Sequence, residues 1–186
     1  MVRYLSARLV GALGVAGLIA LALTGCSALP FSKSTPVSSV TESQDAGGDV
    51  DFDAAIGQCV YLSGTMMDAK IDHATCGQAP ANYVVVAKAP TKEACPSDVD
   101  QTYYVTQGRT QQGALCLDTD WVVGQCMTVP SFGDPAHIPC NSTDSDARRI
   151  LAVLPGATDE SGCPDATTNY YTYDQRHKVV CVEKLS

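Results

Sequence analysis

The chain has little from which to build a large core: three Phe and one Trp in 186 residues. A fold with so few large aromatic side chains usually needs staples, either disulfides or metal. Positive charge is scarce as well, with 12 Lys and Arg against 20 Asp and Glu and a net charge of −8. This excludes a nucleic-acid binder and a polybasic grip on anionic lipid, since both need an electropositive surface. No apolar run reaches the roughly 20 residues that a membrane-spanning helix requires. The pair C-x-x-C does not occur, which removes the commonest sequence sign of a zinc site. The pattern G-x-S-x-G, the sharp turn that presents a hydrolase serine, does not occur either.

What is present begins with an export signal. Arg3 and Arg8 precede an uncharged run from Leu9 to Leu23, 15 residues long and broken by Gly11, Gly14 and Gly17. A basic start followed by a short apolar stretch is the layout of a signal peptide, here residues 1–25. The run ends in Leu23-Thr24-Gly25-Cys26, which resembles the lipobox of bacterial lipoproteins. That resemblance implies lipid on Cys26, cleavage in front of it, and a protein held on the extracytoplasmic face of the cell membrane. Each buried methylene contributes about 0.8 kcal/mol and one acyl chain holds only marginally, so the two or three chains of such lipoproteins make a stable anchor. Loss of residues 1–25 removes two Arg and no acid, leaving 161 residues with a net charge of −10. Residues 26–53 place Pro30, Pro36, Gly47 and Gly48 among many Ser and Thr. They read as a flexible tether, of a composition that also suits O-glycosylation.

With Cys26 assigned to lipid, eight cysteines remain: Cys59, Cys76, Cys95, Cys116, Cys126, Cys140, Cys163 and Cys181. An even number in an oxidising compartment is what a disulfide framework requires. Their scatter, at intervals of 10 to 23 residues, tells against a zinc cage.

The cysteines also mark a repeat. Gly57-Gln58-Cys59 recurs as Gly124-Gln125-Cys126, His73-x-x-Cys76 as His137-x-x-Cys140, Cys95-Pro96 as Cys163-Pro164, and Leu115-Cys116-Leu117 as Val180-Cys181-Val182. The four cysteine offsets are 67, 64, 68 and 65 residues, a near-constant period that divides the chain into repeat one, 54–118, and repeat two, 121–186. Requiring each repeat to close on itself in the same way leaves three pairing schemes. Joining neighbours, Cys59 to Cys76, Cys95 to Cys116, Cys126 to Cys140 and Cys163 to Cys181, ties segments only 14 to 21 residues apart, as expected for adjacent strands.

Inside each repeat the apolar runs are short and rich in β-branched and aromatic residues. Repeat one offers 59–62, 83–87, 103–105 and 114–117; repeat two offers 126–129, 149–154, 170–173 and 178–182. Cys-Pro followed by acids, Pro96 with Asp98 and Asp100 and Pro164 with Asp165, fits the first turn of a short helix. The expected fold is therefore α+β and β-dominated: two tandem disulfide-stapled repeats, each of about four to five short strands with one short helix. Gly-Gln-Cys, His-x-x-Cys, a Val-rich strand, Cys-Pro, paired Tyr and a closing Leu-Cys-Leu together resemble the LppU-like lipoproteins of actinobacteria. More distantly they resemble the cysteine-paired domains associated with septum formation in the same bacteria. In that family the opening motif is more often Gly-Asp-Cys, and Gln58 and Gln125 depart from it. The resemblance implies a location and a fold, and no catalytic activity.

Candidate chemistry is sparse. His73 and His137 stand at equivalent positions, near Asp72 and Asp134; packing or turn capping beside a disulfide accounts for them better than metal or proton sites. Ser131, Asp134 and His137 have the membership of a hydrolase triad within seven residues, but triads are assembled from distant positions around an oxyanion hole. A polar Gly-Pro turn explains them. Tyr103, Tyr104, Tyr170, Tyr171 and Tyr173 gather before the last strand of each repeat. Tyr offers a rigid surface with a polar tip, suited to a sugar ring or a protein partner; strand alternation buries one of each adjacent pair. The sequence thus favours a non-catalytic envelope module binding a protein or glycan, without cofactor or metal, over a small envelope hydrolase or a metal-binding protein.

Overall fold

The computed structural model describes residues 44–65 and 68–185. The expected signal peptide, Cys26 and most of the expected tether lie outside the described residues. Among the described residues there are ten strands: β1 (Cys59–Thr65), β2 (Asp68–Ala74), β3 (Tyr83–Ala89), β4 (Gln101–Gln107), β5 (Thr110–Thr119), β6 (Cys126–Thr128), β7 (Ala136–Ile138), β8 (Ala147–Pro155), β9 (Asn169–Tyr173) and β10 (Lys178–Lys184). They form two antiparallel sheets of five, ordered β2-β1-β3-β5-β4 and β7-β6-β8-β10-β9. The two orders are the same when β6 to β10 are laid over β1 to β5.

The likeness extends to an irregularity. Between β3 and β5 the register runs from Val85↔Leu117 to Ala87↔Cys116, leaving Val86 unpaired. Between β8 and β10 it runs from Ile150↔Val182 to Ala152↔Cys181, leaving Leu151 unpaired. A bulge adds one residue to one strand and turns over the inward and outward alternation. Tyr83 and Val85 accordingly join one core cluster, while Ala87 and Ala89 join another beside Cys116. The bulge brings small Ala87 and Ala152 opposite the bridged Cys116 and Cys181.

Four disulfides close the two units: Cys59–Cys76 and Cys95–Cys116 in the first, Cys126–Cys140 and Cys163–Cys181 in the second. The Cα separations match between units, 5.1 Å in the first bridge of each and 5.5 and 5.7 Å in the second. Four bridges are the mark of a protein that folds outside the reducing cytoplasm. Sheet one buries Val60, Leu62, Tyr83, Val85, Leu115 and Leu117; sheet two buries Met127, Ile150, Tyr173, Val180 and Val182.

The expected short helices are replaced by three-residue 3-10 turns among the described residues. They cover Lys92–Ala94 and Glu160–Gly162, and so end at each Cys-Pro rather than starting there. The acids after Pro96 have another use, described below. The stretch expected to finish the tether also belongs to the fold. Ala46 donates to the Lys88 carbonyl at 2.9 Å and Asp49 to the Gln112 carbonyl at 2.9 Å, while Val50, Phe52, Ala54 and Ile56 cover the core of sheet one. This strap crosses so close that a Cβ on Gly113 would stand 2.5 Å from the Asp49 nitrogen.

Candidate functional site

The ionisable and aromatic groups converge where the two units meet. Asp98 and Asp100 follow the Cys95-Pro96 turn, and Asp118 and Asp120 end or follow β5. From the second unit, the β9–β10 turn brings Arg176, the start of β10 brings Lys178, and β7 brings His137. Arg176 donates from Nε to Asp98 Oδ1 at 2.7 Å and from Nη1 to Asp118 Oδ2 at 2.7 Å. Lys178 Nζ donates to the same Asp118 oxygen. Asp118 is only 1% exposed, and a carboxylate taken out of water needs such partners.

Burial pushes the Asp98 carboxyl up, but hydrogen bonds and the charge from Arg176 outweigh it and hold Asp98 below its ordinary range. Burial likewise opposes the Arg176 charge, and Asp118 and then Asp98 overcome it, raising its pKa.

Aromatic groups complete this seam. Trp121 Nε1 donates to the Tyr173 hydroxyl at 2.6 Å, which donates in turn to Asp100 Oδ2 at 2.8 Å. Thr119 N also donates to Asp100 Oδ2, at 2.7 Å. Lys178 Nζ lies 3.6 Å from the centroid of the Tyr173 ring, a cation–π contact. Burial, then the Asp100 charge, pushes the Tyr173 phenol well above its ordinary value, so it stays neutral and donates. A second polar cluster lies at Asp120, which bonds His137 Nε2 at 3.0 Å and accepts from Gly77 N at 2.6 Å. Beside it, Tyr83 donates to Asp134 at 2.8 Å, and burial followed by this bond raises the Tyr83 phenol too.

These contacts place the residues that the sequence singled out. His73 and His137 do share a register position, opposite Val60 and Met127. Their surroundings differ: His73 stacks on Phe52 with ring centroids 4.4 Å apart, while His137 is bound to Asp120. Asp134 and His137 turn to different partners, Tyr83 and Asp120. Cys59, Cys76 and Asp120 lie within metal-ligand reach of one another, but both sulfurs are held in a disulfide and offer no thiolate. An open depression of about 500 Å³ beside that bridge is lined by Gly57, Gln58, Cys59, His73, Ala74 and Cys76. Among the described residues that line it, His73 is the single acid–base group.

The five tyrosines separate by register. Tyr103 lies opposite Leu115 and Tyr171 opposite Val180, so these two are the structural equivalents, both packed on a core. Tyr171 also stacks on Trp121 at 5.0 Å. Tyr173 is buried in the seam. Tyr104 and Tyr170 face outward, each 40% exposed, and Lys92 Nζ sits 4.6 Å over the Tyr104 ring. The seam is not legible in the sequence, because its ion pairs join Arg176 and Lys178 to acids 58 to 78 residues away. Of its residues the sequence singles out the acids Asp98 and Asp100 of the Cys-Pro turn, and Tyr173. Comparison with family models, with curated proteins and with solved structures finds no match.

Proposed function

We propose that this protein is a membrane-anchored extracytoplasmic lipoprotein of the LppU-like kind, whose head is a duplicated, non-catalytic binding or scaffolding module of the cell envelope. Lipid on Cys26 holds it at the membrane, residues after Cys26 space it off, and the exposed Tyr104 and Tyr170 meet an envelope protein or glycan. The observation that carries the non-catalytic reading is the mating of buried ionisable groups with each other. Asp118 is held by Arg176 and Lys178, and Asp120 by His137 and Gly77 N. A general acid or base needs a free proton-transfer position facing substrate; these five side chains are bonded to one another, and the two atoms left unbonded, Asp118 Oδ1 and His137 Nδ1, are buried away from solvent. The common bulge at Val86 and Leu151 supports duplication.

Photo-crosslinking in cells tests the reading, with a reactive phenylalanine analogue in place of Tyr170 in the full chain. The expected result is a discrete adduct with an envelope component. Turnover of an envelope ester, amide or glycoside by the purified protein, abolished by Asp120→Asn with the fold intact, would overturn it.

A further inference from the structure

The two sheets present four edges, and three are guarded. The β2 edge carries Asp68, Lys70 and Asp72 along its seven residues, and β7 is only three residues long. Charges and shortness are the usual defences of a strand edge against pairing with another chain. The β9 edge ends in Tyr173, which is pinned in the seam. The fourth, β4, has none of these defences: Gln101-Thr102-Tyr103-Tyr104-Val105-Thr106-Gln107, seven residues with no charge and no Pro. It lies at the end of its sheet, and the extra residue in its pairing, Gln112, belongs to β5, so β4 itself runs without a bulge. The N–H of Thr102 is met by the Gln101 side chain at 2.9 Å. By the two-residue alternation of an antiparallel ladder, the backbone of Tyr104 projects from that same edge.

The order of residues along β4 reads almost the same in both directions about Tyr104. We infer that β4 pairs antiparallel with β4 of a second copy of this chain, across a twofold axis at Tyr104, to join two heads edge to edge. That register sets Gln101 against Gln107, Thr102 against Thr106, and Tyr103 against Val105. Thr–Thr and aromatic–β-branched pairs are among the favourable cross-strand neighbours. A twofold contact requires such self-complementarity. Near the axis, Lys92 is accompanied by Glu93, with Nζ 4.0 Å from Oε1, so no net charge accumulates there. A seven-residue pairing is small beside the roughly 1,600 Å² of a standard interface, so the dimer is weak and concentration-dependent.

The test uses the full chain in its membrane, with a photo-crosslinking phenylalanine analogue in place of Gln107. Irradiation is expected to give an adduct of twice the chain mass, mapped to the Gln101 end of β4 in the second copy. Thr102→Lys with Thr106→Lys sets like charges opposite each other twice, and the adduct should fall at least tenfold. Thr102→Lys with Thr106→Glu sets opposite charges face to face, and the adduct should return to within about twofold of the unsubstituted strand. Disulfide mapping of both variants checks that each head is folded. Absence of the self-adduct without these substitutions, equal yields from the two variants, or crosslinking of Gln107 only to another protein would each overturn the inference.

Discussion

Arg176 holds Asp98 by three bonds across 78 residues of sequence: Nε to Oδ1 at 2.7 Å, backbone N to Oδ2 at 3.0 Å, and Nη2 to the Asp98 carbonyl at 2.7 Å. One turn of the second unit is thereby fastened to one turn of the first. The planar guanidinium fits this use because several of its donors point in fixed directions.

Removing that fork should loosen the seam. Arg176→Ala leaves Asp98 without its cation and Asp118 with Lys178 alone. The expected loss is roughly 3 kcal/mol, at the low end for a broken buried pair because Lys178 still neutralises Asp118. Urea unfolding of wild type and variant measures it. A loss below about 1 kcal/mol would show that the seam contributes little.

The pH dependence has two arms. Asp98 has a folded pKa below its unfolded value of about 3.9, so its contribution is present above that value and is lost as pH falls through the folded one. Tyr173 and Tyr83 are raised; their contribution is full below the unfolded value of about 10 and is lost as pH rises beyond it. Melting temperature against pH should therefore fall below about pH 4 and above about pH 10. Asp98→Asn should flatten the acid arm and Tyr83→Phe the alkaline arm, and unchanged profiles in both would contradict the assignment.

The sheets were legible where burial imposes a pattern. Strand β3 buries Tyr83, Val85, Ala87 and Ala89 in alternation, and its Val-rich run was readable as a strand. Strand β2 is not, because in Asp-Ala-Lys-Ile-Asp-His-Ala only Ile71 offers a large apolar side chain to the core and no residue is fully buried. The acids after Pro96 fit the first turn of a helix, yet Asp98 and Asp100 serve Arg176, Tyr173 and Thr119. Local sequence cannot distinguish a dipole partner from a tertiary one. The tyrosine pairs misled for a related reason: Tyr103-Tyr104 and Tyr170-Tyr171 look equivalent, but their partners on β5 and β10 show them displaced by one residue.

Reduction should unfold the head. The bridges close loops with sequence separations of 14 to 21 residues, each contributing about 3 kcal/mol in the chain-entropy model. Together they rival the roughly 5–15 kcal/mol stability of a typical domain. Circular dichroism after full reduction should show loss of the strand signal, while a chelator should leave it unchanged. Unfolding by the chelator alone would indicate a structural metal.

Gly113→Ala should release the strap. Its new Cβ would stand 2.5 Å from Asp49 N and 2.7 Å from Asp49 O, backbone atoms that move only if the strap lifts. A cost of about 1–3 kcal/mol is expected from such overpacking, together with faster protease cleavage between residues 45 and 53. Cleavage at the wild-type rate would mean that the strap is not held by this approach.

The membrane-anchored reading rests on Leu23-Thr24-Gly25-Cys26, and metabolic labelling with a fatty-acid probe addresses it directly. The wild-type chain should take up label and run at the size left after loss of residues 1–25, whereas Cys26→Ala should remain an unlabelled precursor. Equal labelling of the two, or an unlabelled wild type, would contradict the anchor and with it the placement of the head at the membrane.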